Sequence, residues 1–286
     1  MATSRLTRFT LRGADGGPLR GEVRHAGRTR RPAVVICHGF KGFKDWGCFP
    51  HLADRLARAG FAAVSFNFSG SGVGEDGQTF DEPERFGHAT FGNDLDDLAS
   101  VVAALGAGDL VPDLPPPTAV GLVGHSRGGG VALLHAAAHG GVDALVTWSA
   151  IGTVHRWGPE TVRLWRAAGS LPVTNQRTGD VLPLYLDVLD EIERHPTGRL
   201  DVPGAASRIT CPWLLLHGEV DETIPVREAE ELVARSDGRA TLLVVPQGSH
   251  TFGARHPWAG MTPALERAFD ATVAWFSDAL LPRDSR

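Results

Sequence analysis

Six short apolar runs constrain this chain more than any other feature: PAVVIC (32–37), FAAVSFNF (61–68), TAVGLVG (118–124), VDALVTWSA (142–150), CPWLLLHG (211–218) and ATLLVVP (240–246). Each is long enough for a strand and short for a buried helix. None alternates strictly between apolar and polar residues, as a strand with one wet face would. Segments of helical spacing separate them. In 49–59, Phe49, Leu52, Leu56 and Ala59 share one face, and 92–105, 127–139, 226–235 and 262–280 read as further helices. The acidic start of 92–105 (GNDLDD) suits the positive end of a helix dipole. Strands apolar on both faces, alternating with helices that cover them, specify a mostly parallel, doubly wound α/β sheet.

Two earlier segments, Arg5–Leu11 and Leu19–His25, flank the turn chemistry of GADGGP and read as an N-terminal antiparallel hairpin. Together with the six runs they make an eight-stranded sheet. The rhythm stops at Gly152 and resumes at Cys211. The segment 152–207 reads as helical and irregular, without a strand: a small helical cap inserted after the sixth strand of a single domain, 1–286.

Composition removes several function classes. A net charge of -5 argues against a nucleic-acid partner, which needs a concentrated basic patch. No stretch approaches 18 uninterrupted apolar residues, so no membrane partner is expected. The start of the chain, MATSRLTRFTLRGADGG, lacks an apolar signal core, and the three cysteines (Cys37, Cys48, Cys211) form neither a disulfide framework nor a zinc spacing. A cytoplasmic protein with buried thiols is the expectation, without metal or cofactor. NFSGSGVGEDG (67–77) is glycine-rich but lacks the Lys-Ser/Thr ending of a phosphate loop, and reads as a loop beside the pocket.

The chemistry concentrates where strands end. GLVGHSRGGG (121–130) contains G-x-S-x-G as Gly124-His125-Ser126-Arg127-Gly128, at the end of one run and the start of a helix. That is the context a nucleophile elbow requires, because a Cβ two residues either side of the serine would clash in so tight a turn. A serine hydroxyl needs a base to take its proton. His250, in the loop after the last run, is placed for that role, with His256 as the nearby competitor. A carboxylate must orient the base. Of Glu219, Asp221 and Glu222, Asp221 fits best, since the turn after His217-Gly218 leaves room for two residues before a side chain points back over the sheet. The chain order Ser126, Asp221, His250 differs from that of the chymotrypsin and subtilisin triads.

On the motifs HGFKGFKDW, FNFSGSG, GHSRGG and HGEVDETIP, nearly the whole chain resembles the α/β-hydrolases. Within them it is similar to single-domain serine esterases close to dienelactone hydrolases, cinnamoyl esterases and acylaminoacyl peptidases. The resemblance implies a serine hydrolase acting on a small-molecule carboxylic ester of small to medium acyl or aromatic acids, through an acyl-enzyme. It also implies an oxyanion hole from the backbone N–H groups of Phe40 and Arg127, with His38 structural. Serine aminopeptidase, acylaminoacyl-peptidase, thioesterase and acyltransferase activities share the triad, and a ligand receptor without turnover can retain it. The residues leave the choice between monomer and homodimer open.

Two groups of residues invite a substrate-binding role. The chain has 28 basic residues of which only Lys41 and Lys44 are lysines, and both follow the oxyanion turn. An ammonium there can meet a substrate carboxylate or simply fix the turn with Asp45. In the cap, Trp157, Trp165, Leu182, Leu184, Tyr185 and Leu189 can close an apolar pocket or pack the cap onto the sheet. Lys41, Trp157, Trp165 and Tyr185 are the expected substrate contacts.

Overall fold

The computed structural model describes residues 5–25, 27, 29–175, 179–195 and 197–282. The hairpin is β1 (Arg5–Arg12) paired antiparallel with β2 (Pro18–His25). Then follow β3 (Ala33–Cys37), α1 (Phe49–Arg58), β4 (Ala62–Phe66), α2 (Pro83–Gly87), α3 (Phe91–Ala107), β5 (Val120–His125), α4 (Arg127–Ala138) and β6 (Ala144–Trp148). The cap contributes α5 (Pro159–Ala168), β7 (Ser170–Thr174), β8 (Val181–Tyr185) and α6 (Leu186–Arg194). The chain returns through α7 (Val202–Arg208), β9 (Trp213–Gly218), α8 (Val226–Arg235), β10 (Ala240–Val245) and α9 (Pro263–Leu280).

The main sheet has eight strands in the order β1-β2-β4-β3-β5-β6-β9-β10. β2 runs antiparallel to β1 and β4, and every pairing from β4 to β10 is parallel. Every residue of β3, β4, β6 and β9 is buried, as their largely apolar character requires, with Ser65, Thr147 and His217 the buried polar exceptions. Successive side chains still go to opposite faces. Val34, Ile36, Val123, Val146 and Leu216 pack with Phe49, Leu52, Phe269 and Phe276 of α1 and α9. Val35, Val64, Leu122, Leu145 and Leu215 pack on the other face with Leu98, Val101, Val131 and Leu232 of α3, α4 and α8. Thr90 caps α3 by accepting the Asn93 N–H at 3.1 Å, and Asp94 lies in its first turn.

The cap departs from the expectation in one respect. It contains a two-stranded antiparallel ribbon, in which Ser170 pairs with Tyr185 and Pro172 with Pro183. Both strands carry a proline, which removes ladder donors and hides a strand signal, and only an isolated ribbon tolerates that pairing. Residues 176–178 and 196 of the expected cap segment lie outside the described residues. At the far end of that segment, α7 packs against α4 and α8 and belongs to the helical layer on the sheet. No helix among the described residues is long and apolar enough to cross a membrane.

Candidate active site

The site lies at the C-terminal ends of β3, β5, β9 and β10. β5 ends in a sharp turn at Ser126, with φ 55° and ψ -118°, a conformation that side chains adopt only under strain. Its frame holds it there. Ser126 N–H donates to the Trp148 carbonyl at 2.8 Å, and the Ser126 carbonyl accepts from Gly129 and Gly130 N–H at 3.0 and 3.1 Å. A Cβ on Gly124 would run into the Gly128 carbonyl, and one on Gly128 into the carbonyls of Cys37 and His38. The two glycines of G-x-S-x-G are therefore dictated by backbone approach.

Asp221 sits in the loop after β9 with its side chain fully buried. Its Oδ1 accepts from the N–H groups of Thr223 and Ile224, each at 2.9 Å. The Nδ1–H of His250 donates to Asp221 Oδ2 at 2.9 Å and approaches Oδ1 at 3.1 Å. Burial by itself would raise the Asp221 carboxyl. The His250 hydrogen bond and charge, with the two loop N–H groups, outweigh it and hold the carboxyl down at about 2. The carboxylate is thus ionised and fixes the imidazole with Nε2 as its acceptor. His250 and Ser126 line the same two cavities. No hydrogen bond joins the Ser126 hydroxyl to the ring in this structure; such bonds are commonly long in the free enzyme and tighten when substrate is bound.

The competing residues have other tasks. Glu219 Oε2 accepts the Gln247 N–H at 2.9 Å and ties the β9 and β10 loops together. Glu222 is exposed. His256 Nδ1 accepts the Gly47 N–H at 3.0 Å.

The turn Gly39–Gly42, closed by Gly42 N–H to the Gly39 carbonyl at 3.0 Å, abuts the elbow: a Cβ on Gly39 would lie 3.1 Å from the Ser126 Cβ. His38 clamps this turn. Its Nε2 accepts the Phe68 N–H at 3.1 Å, and its Nδ1–H donates to the Gly39 carbonyl at 2.9 Å. Burial pushes its pKa down to about 4, which keeps the ring neutral. Among the described residues, neither the Phe40 nor the Arg127 backbone N–H donates to another protein group. Two such donors beside a serine can hold an oxyanion. The Arg127 side chain points the other way. Its Nε bonds Asp94 Oδ2 at 2.7 Å, its guanidinium bonds the Ala89 carbonyl at 2.6 Å, and it lies 4.0 Å over the Phe91 ring.

Two cavities meet at the serine. One, of about 250 Å³, is bordered by Trp46, Phe49, His125, Asn175 and Thr251. The other, of about 470 Å³, is bordered by Phe91, Ile151, Arg156, Trp157 and Ile224. Phe40, Lys41, Ser126 and His250 border both. Of the expected substrate contacts, Lys41 and Trp157 are therefore at the cleft. Trp165 and Tyr185 are not, and the expectation is corrected for both. Trp165 is fully buried behind Trp157 and donates its indole N–H to the Leu184 carbonyl at 2.8 Å. Tyr185 packs on His88 and donates its hydroxyl to Glu84 at 2.9 Å. Leu182, Leu184 and Leu189 are buried in the packing of the cap.

Lys44 also has a structural environment. Its ammonium lies 2.9 Å from Glu22 Oε2 and contacts Asp45, and Glu22 in turn holds Arg24. Sequence reasoning missed His125. Its Nε2–H donates to the His250 carbonyl at 2.9 Å and so anchors the loop that carries His250. Burial, with the His250 charge, pushes its pKa down to about 3. It also missed Arg156, whose guanidinium lies 2.6 Å from Glu228 Oε1. Nothing in a single sequence marks either residue, because each role depends on a partner in a distant loop or helix.

The family model described as serine aminopeptidase, S33, matches residues 28–197. The 2,6-dihydropseudooxynicotine hydrolase of Paenarthrobacter nicotinovorans is 27% identical over 267 residues, covering 91% of this chain and 63% of that protein. The chain thus spans less than two thirds of that relative. The monoacylglycerol lipase of Mycolicibacterium smegmatis (strain ATCC 700084 / mc(2)155) is 24% identical over 256 residues, covering 82% of this chain and 86% of that one. Among solved structures, Est1E from Butyrivibrio proteoclasticus with bound ferulic acid superposes with a TM-score of 0.72 at 20% identity, covering 94% of this chain and 98% of that one.

Proposed function

The chain belongs to this serine aminopeptidase (S33) family of α/β-hydrolases, and within it we propose that it hydrolyses carboxylic esters through an acyl-enzyme formed on Ser126. One observation carries the reading. A strained serine stands where two cavities meet, beside an imidazole held by an ionised carboxylate and beside two backbone N–H groups with no partner among the described residues.

Ser126 Oγ attacks the ester carbon while His250 Nε2 takes its proton. Asp221 keeps Nδ1–H bonded and stabilises the imidazolium that forms. The N–H groups of Phe40 and Arg127 receive the developing oxyanion, a contribution of about 3–4 kcal/mol for each donor when such a donor is removed. His250 then protonates the leaving alcohol. Water, activated by the same imidazole, releases the acid and restores Ser126. The two cavities give the acyl and alcohol halves separate room. The relative described as a monoacylglycerol lipase supports an ester as substrate.

A second reading, aminopeptidase, follows from the family's description. An aminopeptidase must bind a substrate ammonium, and no Asp or Glu is among the described residues that border either cavity. That favours the ester. The test is a p-nitrophenyl ester series, from acetate to long acyl chains, run beside aminoacyl p-nitroanilides on wild type and Ser126→Ala. Ester turnover abolished by Ser126→Ala is the expected result, and the best chain length sizes the acyl cavity. Turnover of the anilides alone would replace the esterase reading with the peptidase one.

A further inference from the structure

Lys41 has no task in the chemistry just described, yet its backbone is held in a costly conformation. It is the third residue of the Gly39–Gly42 turn, with φ 58°. Glycine is the residue suited to that place, and a residue with a Cβ is strained there. The side chain retained in this way borders both cavities, one position after the proposed oxyanion donor Phe40. Its Nζ donates to the Thr174 carbonyl of β7 at 3.3 Å. An ammonium has three donors, so two are left to point elsewhere.

Its partners distinguish it from the other cations nearby. Lys44 is paired with Glu22 and Asp45, Arg127 with Asp94, and Arg156 with Glu228. Lys41 pairs with no carboxylate among the described residues, although it is half-buried. Desolvation accordingly holds its pKa below the ordinary lysine value. With no Asp or Glu among the described residues that border either cavity, the cleft presents a positive charge that pairs with no carboxylate among the described residues.

Resting on the esterase reading, we propose that the substrate is an anionic ester whose free carboxylate is received by the Lys41 ammonium while Ser126 attacks the ester carbonyl. A half-ester of a short dicarboxylic acid has this chemistry. A compact ammonium on a flexible stem accommodates such a group without demanding a fixed bidentate geometry.

The test compares kcat/KM for monoethyl esters of succinate, glutarate and adipate with ethyl esters of monocarboxylic acids of matching length, followed by pH-stat. Lys41→Gly is the main variant, because it deletes the ammonium while supplying the residue that the backbone prefers. Lys41→Met is the second, and Lys44→Met the control. Wild type is expected to favour the anionic ester at least tenfold at one chain length. Both Lys41 variants should lower that ratio about tenfold or more, and Lys44→Met should leave it in place. A ratio near one at every length, or one unmoved in the Lys41 variants, overturns the proposal while turnover of neutral esters upholds the esterase reading. If wild type hydrolyses no ester, that reading fails, and calorimetry with succinate, glutarate and adipate decides the anion site. Binding weakened tenfold by Lys41→Gly upholds the site, and absence of binding to wild type overturns it.

Discussion

The Asp94–Arg127 pair ties the start of α4, just after Ser126, to α3, and removing one half of it should be more damaging than replacing both. The two side chains are 5% and 9% exposed and meet at 2.7 Å. In Asp94→Ala the guanidinium stays buried, with only the Ala89 carbonyl and the aromatic faces of Phe91 and Phe40 for company. Breaking a buried pair in this way costs about 3–5 kcal/mol. With a urea m-value of about 3 kcal/mol/M, the unfolding midpoint should fall by about 1–1.7 M. The double variant Asp94→Leu/Arg127→Met removes both desolvation penalties and should recover most of the loss, to within about 1 kcal/mol of wild type. Asp94 itself points to that outcome: burial holds its carboxyl above the usual range in spite of the guanidinium beside it. Urea melts of the three proteins, followed by tryptophan fluorescence, measure both effects. A single variant within about 0.5 kcal/mol of wild type, or a double as unstable as the single, would refute the reasoning.

The remaining expectations concern the site. Asp221→Asn should lower kcat by about 10³–10⁴ by releasing the imidazole from its tautomer, with KM little changed. Because the folded-state pKa of Asp221 lies below its ordinary value of 3.8, its ionisation stabilises the fold above that value. Its advantage over Asp221→Asn, about 2 kcal/mol near neutrality, should shrink as the pH falls from about 4 towards about 2 in urea melts across that range. His125→Phe should lower kcat several-fold by freeing the His250 loop, a loss of about 1 kcal/mol for one hydrogen bond. Its pH–rate profile should keep its shape, since the His125 pKa of about 3 keeps the ring neutral in the working range. Gly128→Ala should destabilise by about 1–3 kcal/mol or more, measured by thermal melting, because the new Cβ meets backbone that cannot rotate away.

The sheet was legible because β3, β4, β6 and β9 are buried on both faces and therefore largely apolar along their length, Ser65, Thr147 and His217 apart. Ser126, Asp221 and His250 could be singled out because a doubly wound sheet gathers the loops after its strands, which narrowed twelve histidines to two. The cap was less so. Its strands carry Pro172 and Pro183, and propensity argues against a ribbon that isolated pairing permits. Trp157 and Trp165 are alike as residues. Which of them faces the cleft is set by the packing of the cap, in which Trp165 of α5 turns inward and donates to the Leu184 carbonyl of β8. Lys41 and Lys44 were inseparable for a similar reason: the carboxylate that occupies Lys44 belongs to Glu22, on a strand far earlier in the chain.

The central claim is that Ser126 forms a covalent intermediate. It is tested most directly by intact-mass and peptide mass spectrometry after exposure to a fluorophosphonate, with wild type and Ser126→Ala in parallel. One phosphonyl adduct per chain, on the peptide carrying Ser126 and absent from the variant, is the predicted result. A folded wild type that takes up no label, or one labelled elsewhere and equally in Ser126→Ala, would contradict it.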